Sequence, residues 1–467
     1  MQTYRIKQLS ALVLLGAVLL AGCKKQDEFL NYKRANADVM PSNLTDYQAL
    51  LDNNGTMNAN TPICALIGTD NYYIAATTYN AAGVPSGTCY TWATDPWQGY
   101  SPGDWGDPYV VVEYANVVLD GIQKIGVGSD SANIYNNIEG SALFYRSFAF
   151  YNLAGEFCKP YTASTASKDP GIPLRQTSDF NVPSVRSTVQ QTYDQITGDL
   201  KKAIPLLPVS PLTTTRPSKM AANALLAKVY LSMEQYDSAL LYANNTLTLK
   251  SDLMDFNNTT YIKASANVPF PTKPDQNPEM IFFAETLGSS LVWPLGSGIT
   301  DSTLFSSYDV NDLRKSVLYK INNGNPIFKG TYDGYGTYNF GGIATNEIYL
   351  IRAECNTRKG NVSTALQDYN LLLRNRHVTG TYTDLVTTNA DSLLAVVLYE
   401  RRKELPFTSF VRWEDLRRLN KDPRFAITLT RNINGTIYTL PPNDLNYVYP
   451  FPDQEIQLTS MAQNPRD

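Results

Sequence analysis

The sequence predicts a mainly α protein, a helical-repeat scaffold interrupted by a loop-rich, partly β insert. Two observations carry this reading. Small residues recur at one offset inside apolar helical stretches, Ala227 with Ala239 and Ala353 with Ala365. Between the two pairs, from about 250 to 342, helical periodicity disappears and prolines and glycines accumulate.

The chain of 467 residues is 43% hydrophobic and 18% charged, the composition of a globular protein with a large core. A net charge of −4 gives no electrostatic case for nucleic acid.

The first element is a leader. Arg5 and Lys7 precede an apolar run from Leu9 to Ala21, and Leu20-Ala21-Gly22-Cys23 closes it. A basic start, an apolar stretch of about a dozen residues and small residues at a cleavage site make a secretory signal. The run is too short to span a bilayer with ease. A cysteine after those small residues resembles a bacterial lipobox. On that reading residues 1–22 are removed, Cys23 becomes the first mature residue, and its thiol carries a diacylglyceryl anchor. The alternative is an ordinary secreted protein with a chance cysteine. No second apolar run approaches spanning length, so the lipid is the only membrane attachment expected.

Residues Lys24 to Val39 are polar and aperiodic and read as a tether. Ser42 to Leu51 reads as a short helix ended by the turn Asn53-Asn54-Gly55. Asp52-Asn53-Asn54-Gly55 is too short for a calcium loop. Ile63 to Tyr109, rich in Gly, Thr and aromatics, reads as loop. A helix follows from about Pro108 to Ile125, with Tyr109, Val112, Ala115, Asn116 and Leu119 on one face. Glu139 to Phe157 is apolar nearly all round, as in a helix buried on several sides. Thr188 to Ile204 is amphipathic and is stopped by Pro205 and Pro208.

Next come the repeats. Leu226, Ala227 and Tyr230 are followed by Tyr236, Ala239 and Ala243, and small residues twelve apart let two antiparallel helices approach closely. The offset returns at Ala353 and Ala365, with Tyr349 before and Tyr369 after. This resembles the tetratricopeptide helix pair; two unrelated helical hairpins are the alternative. Pro269, Pro271, Pro274 and Pro278 mark the insert of short strands and loops. Helix resumes from Asn346 to Arg376 and from Ala390 to Glu404, and the tail from Asn432 reads as turns and short strands.

Cys64, Cys89, Cys158 and Cys355 have no paired spacing that suggests zinc or redox chemistry. Cys64 and Cys89 could join in an exported chain, or all four could be buried thiols. The single histidine, His377, follows Arg374 and Arg376 at a helix end, where a cation satisfies terminal carbonyls. One histidine leaves no basis for a His-based metal site or a Ser-His-Asp triad, and no cofactor is expected.

From the leader to the C-terminus, the motifs together resemble the SusD/RagB family of outer-membrane nutrient-binding lipoproteins. The motifs are Trp105, Tyr109, Asn116 and Leu119; Arg146 with Phe148-Ala149-Phe150; and Gly171-Ile172-Pro173-Leu174. Tyr193, Ile196, Asp199-Leu200 and Leu207-Pro208 follow, then Arg216, Lys219, Ala221-Ala222 and the run Leu225 to Leu231. Asn346-Glu347, Ala353-Glu354, Glu400-Arg401-Arg402, Glu404-Leu405, Arg412-Trp413, Asp415-Leu416 and Arg418 come later. The ending Tyr449-Pro450-Phe451-Pro452, Glu455-Ile456 and Gln463-Asn464-Pro465 is also typical. One departure stands after Phe407. Thr408-Ser409 replace the family's acidic residue and glycine, with one residue more before Arg412, so a locally different loop is expected.

The resemblance implies a SusD-like fold, with an N-terminal part of about 23–215 and a C-terminal part of about 216–467 holding the insert at about 250–342. It implies binding without chemistry, with glycan or, as in RagB-type relatives, peptide as ligand. It also implies a SusC-like TonB-dependent transporter as partner and an outer-membrane, surface-exposed position. Lys25-Gln26-Asp27-Glu28 resembles the acidic export tags of such lipoproteins. A glycoside hydrolase would need carboxyls facing a cleft, whereas Glu400, Glu404 and Asp415 sit among Arg401, Arg402 and Arg412. Glu354 reads likewise as a structural partner.

Tyr appears 31 times against Phe at 17, an enrichment suited to amphipathic ligands. Aromatic rings cover the C–H faces of sugars while amides and carboxylates take the hydroxyls. Asp70, Asn71, Tyr72, Tyr73, Tyr90, Trp92 and Trp97 offer this mixture in a loop-like segment, with Asp95 and Tyr100 beside them. Trp293, flanked by Pro294 and Gly296 in the insert, is a second candidate. Each of these tryptophans could instead plug its loop; Trp105 and Trp413 read as core.

Overall fold

The computed structural model describes residues 41–128 and 131–466. The leader, Cys23 and the tether lie outside the described residues.

The chain opens with α1 (Leu44–Leu51), capped by the Asn43 side chain on the Asp46 amide, and the one-turn helices α2 (Cys64–Ile67) and α3 (Ser86–Tyr90). Three long helices follow: α4 (Gly103–Ile125), α5 (Ala132–Phe157) and α6 (Val189–Leu206). Helix α4 starts five residues before the expected Pro108, which falls inside it. Helix α5 is buried without interruption from Gly140 to Phe157, as its all-round apolar sequence requires. Thr188 and Gln191 form a reciprocal capping box at the start of α6, whose last turn runs past Pro205.

Two helical hairpins come next in sequence and in space. Helices α7 (Lys219–Ser232) and α8 (Tyr236–Leu249) pack together, as do α9 (Thr345–Arg358) and α10 (Val362–Arg374). Ala227, Ala239, Ala353 and Ala365 are all fully buried, the close approach their offset predicts. Helix α8 also packs on α9, so the hairpins stack across the insert that separates them in sequence. Helices α11 (Ala390–Glu404) and α12 (Val411–Leu419) complete the C-terminal layer. Each contact is tight. A Cβ at Gly121 of α4 would lie 2.2 Å from the Tyr47 ring of α1.

Strands are short and paired in twos, all antiparallel. β1 (Tyr72–Tyr73) pairs with β5 (Ile299–Thr300), with Tyr73 opposite Ile299. β2 (Pro170–Pro173) pairs with β3 (Arg186–Thr188), and β4 (Met280–Phe282) with β8 (Ile343–Ala344). β6 (Tyr319–Asn322) and β7 (Asn325–Phe328) form a hairpin, as do β9 (Leu429–Ile433) and β10 (Thr436–Leu440). β9 begins three residues before the expected Asn432.

Buried ion pairs fasten the insert to the repeats. Arg376, after α10, bonds Glu404 at 2.8 Å and reaches Glu279 of the insert at 2.6 Å. Arg314 of the insert bonds Asp312 at 2.7 Å and Glu404 at 2.9 Å, and also contacts Glu400. Arg401 joins Asp415 and Glu347, each at 2.9 Å, and Arg418 holds Glu354 at 2.6 Å. Burial raises the Glu354 carboxyl, but Arg418 beside it prevails and holds it down at about 2. Such pairs do little for net stability, yet leaving one partner alone and buried costs several kcal/mol. Glu354, Glu400, Glu404 and Asp415 are thus committed to arginines. His377 sits past α10 with Nδ1 2.9 Å from the Leu373 carbonyl.

Phe407 and Ser409 both adopt left-handed φ, 56° and 40°, and Phe407 stacks on Phe328 at 4.5 Å.

Candidate functional site

The aromatic segment expected as an open loop is mostly core. Trp92 is 3% exposed and its indole N–H donates to the Gly68 carbonyl at 2.9 Å. Trp97 is 1% exposed, donates to the Pro450 carbonyl at 2.8 Å, and lies between Tyr449 and Phe157. Tyr72 and Tyr90 are equally covered. The Tyr72 hydroxyl donates to Ile67 O, and the Tyr90 hydroxyl accepts from the Ile74 amide. A stacking role for Trp92, Trp97, Tyr72 and Tyr90 is therefore corrected to a packing role. Each ring is enclosed and each polar tip is spent on backbone.

Arg431 of β9 explains why. Its guanidinium lies 4.2 Å from the Tyr90 ring centroid, 5.1 Å from Trp92 and 5.5 Å from Tyr72. It donates to the Tyr72 carbonyl at 2.7 Å and also to Thr69 O. This buried cation, paired with no carboxylate among the described residues, is stabilised by ring faces and carbonyl dipoles.

Asp70 and Asn71 are also engaged. The Asp70 carboxylate accepts two bonds from Arg412, each 2.8 Å, and faces Arg402 at 3.2 Å. Burial alone would raise its pKa, but the two arginines hold it well below the usual carboxylate range. Asn71 is buried and its carbonyl accepts the Asp301 amide. These two residues fix the entry to β1 and offer a sugar no free carboxylate. Asp95 likewise caps its own turn, accepting from Trp97 N and Gln98 N. Tyr100 is 60% exposed.

Besides Tyr100, Tyr73 and Trp293 remain outward. Tyr73 is 43% exposed at the end of β1, held by the β1–β5 pairing. Trp293 is 38% exposed, whereas the other four tryptophans are all under 7%. Its loop is fastened at several points. Trp293 N donates to Ser289 O at 3.0 Å, Leu295 N to Phe328 O at 2.7 Å, and Ser289 Oγ meets Ser86 Oγ at 3.1 Å. A Cβ at Gly288 would come within 2.9 Å of the indole, so only glycine lets the ring lie against that backbone.

A third feature went unread in the sequence. The Asp333 carboxylate accepts four consecutive amides, from Tyr335, Gly336, Thr337 and Tyr338, at 2.7–3.0 Å. The clasped loop displays Tyr335, 67% exposed, and Tyr338, 38% exposed. It leaves the backbone strip that carries Gly288, since Thr286 N donates to Asn339 O and Glu285 bridges Phe340. Burial, then the Asp333 charge, push the nearby Glu285 carboxyl up to about 7. The available signal was an Asp followed by Gly334 and Gly336 with tyrosines between, a turn built around one carboxylate.

Tyr73, Trp293, Tyr335 and Tyr338 are thus outward aromatics on fastened loops beside a scaffold of stacked helical hairpins, the architecture of a helical-repeat protein. Two family models match the chain, one described as starch-binding associating with outer membrane over residues 28–231, the other as SusD family over 298–466. The chain belongs to the SusD family. It is 24% identical over 422 residues to SusD-like protein P2 of Formosa agariphila, covering 77% of this chain and 79% of that one. Among solved structures, a putative sugar-binding protein from Bacteroides vulgatus superposes with a TM-score of 0.72 at 21% identity. It covers 91% of this chain and 99% of that chain. A SusD superfamily protein from Bacteroides thetaiotaomicron gives 0.67 at 23% identity, over 91% and 100%. At these identities the likeness is one of fold.

Proposed function

We propose that this protein binds oligo- or polysaccharide at the cell surface and delivers it to a SusC-like TonB-dependent outer-membrane transporter. The carrying observation is Trp293, a half-open indole on a fastened loop, whose N–H donates to no group among the described residues. A flat ring with a free donor suits a sugar, whose C–H face stacks while a hydroxyl accepts. Tyr73 is proposed as its neighbour in the site and Tyr335 and Tyr338 as an extension. A Bacteroides vulgatus structural neighbour described as a SusD-like carbohydrate-binding protein supports the ligand class. A surface of the stacked helical hairpins is the proposed transporter face, since such repeats present extended surfaces to partners. Lipidated Cys23 is the proposed anchor. Among the described residues no helix is long and apolar enough to cross a membrane.

Affinity electrophoresis through gels containing single polysaccharides tests the site. One or more glycans should retard the wild-type chain, and Trp293→Ala and Tyr73→Ala should abolish the retardation. Retardation by no glycan, with binding on a peptide array, would overturn the reading in favour of peptide uptake.

A further inference from the structure

Cys64 begins α2 and Cys89 lies in α3, two short helices that pack on each other. Both side chains are fully buried free thiols, and Cys89 is a neighbour of the Cys64 thiol across the packed helices. The other described cysteines, Cys158 and Cys355, are buried elsewhere, in the α5–α6 region and in α9. The thiol pair sits in a dense setting. Asp104 accepts the Ile63 and Cys64 amides, each at 2.7 Å, Glu156 accepts the Ala65 amide, and Tyr449 donates to the Cys64 carbonyl. Residues 64 to 89 bracket β1 and its outward Tyr73. The family's outer-membrane association places such a chain beyond the reducing cytoplasm.

We propose that Cys64 and Cys89 are joined by a disulfide in the exported protein, closing the segment that carries β1. In the step, a dithiol–disulfide oxidoreductase of the exported compartment is the oxidant. One cysteine thiolate attacks the oxidoreductase disulfide and releases one of its thiols. The second cysteine attacks the mixed disulfide, so the new S–S bond forms here. Two electrons and two protons pass to the oxidoreductase, which leaves as a dithiol. The thiolate is the reactive form, and in the folded chain burial, followed by the Cys89 contact, pushes the Cys64 thiol well above its ordinary range. Oxidation therefore belongs to folding, before α2 and α3 close, and the folded dithiol is inert.

The test uses full-length protein purified from the outer membrane without reductant, with thiols alkylated under denaturing conditions. Cys158 and Cys355 should alkylate and Cys64 and Cys89 should not. No Lys or Arg separates Cys64 from Cys89, so trypsin leaves them in one peptide; cleavage before Asp70 separates them. Peptides containing Cys64 and Cys89 should then run as one species that reductant splits. Reductant should also lower the melting temperature of the wild type and leave a Cys64→Ser/Cys89→Ser variant unmoved. Alkylation of all four thiols, or a link between any other pair, overturns the proposal. The same chain made reduced in a cytosol, where Cys23 stays unlipidated and is a fifth thiol, should keep Cys64 and Cys89 reduced for hours under glutathione disulfide. It should gain the link only after unfolding and refolding; rapid oxidation of the folded form would overturn the assignment of the step to folding.

Discussion

Replacing Trp97 and Trp293 by alanine, one at a time, separates packing from binding. Trp97 is 1% exposed, and its ring fills the space between Tyr449 and Phe157. Truncating a buried Trp costs about 3–5 kcal/mol through lost transfer energy and the cavity left behind. The Pro450 carbonyl also loses its donor, about 1 kcal/mol more. The sum is about 4–6 kcal/mol. For a chain this long the unfolding entropy converts each kcal/mol into about 1 °C, so Trp97→Ala should melt about 4–6 °C below wild type. Trp293, at 38% exposure, gives up little packing, and its variant should melt within about 1 °C of wild type. In binding the order reverses. Removing an aromatic anchor costs about 2 kcal/mol or more, or about thirtyfold in affinity. Differential scanning calorimetry and glycan affinity electrophoresis on the same preparations read both quantities. A Trp97→Ala protein that melts like wild type yet fails to bind would refute the reasoning.

Other expectations follow from buried groups. The Glu156 carboxyl is pushed well above 4.5 by burial first and the Asp104 charge second, so the folded state holds a proton that the unfolded chain releases. Its contribution to stability is full below about pH 4.5 and is lost as pH rises from there. Glu156→Gln should flatten the urea midpoint between pH 5 and 8; an unchanged slope would contradict this. Glu354 is the opposite case. Its stabilisation is present above its ordinary 4.5 and is lost as pH falls toward about 2, so Glu354→Gln should cost about 3–5 kcal/mol at neutral pH and far less in acid. Gly121→Ala would force a Cβ to 2.2 Å from Tyr47, costing about 1–3 kcal/mol. Limited proteolysis should then cut within Leu44–Leu51, which wild type resists.

The repeat hairpins and the buried α5 were legible because their signal is local. Ala227 with Ala239, and the unbroken apolar face of Glu139 to Phe157, specify packing within one or two helices. Element ends shifted where local rules conflict, as at Pro108, which reads as a first-turn residue but lies within α4. The aromatic segment was misjudged for a different reason. Tyr72, Tyr90 and Trp92 are covered because Arg431, hundreds of residues later, brings a cation to their faces. Trp97 is covered because Pro450 accepts its N–H. Nothing near Trp97 in sequence announces that partner. Trp293 kept its exposure because the groups near it, Gly288 and Ser289, hold its loop while the ring stays partly open to solvent.

The Asp333 clasp separates a loop's shape from its message. One carboxylate accounts for four successive amides, and Gly334 and Gly336 supply the positive φ values the turn needs, 80° and 71°. The side chains at Tyr335, Thr337 and Tyr338 take no part in those bonds. They can be exchanged while the backbone trace stays as it is, so a descendant facing another nutrient could rewrite three outward positions and inherit the scaffold unaltered.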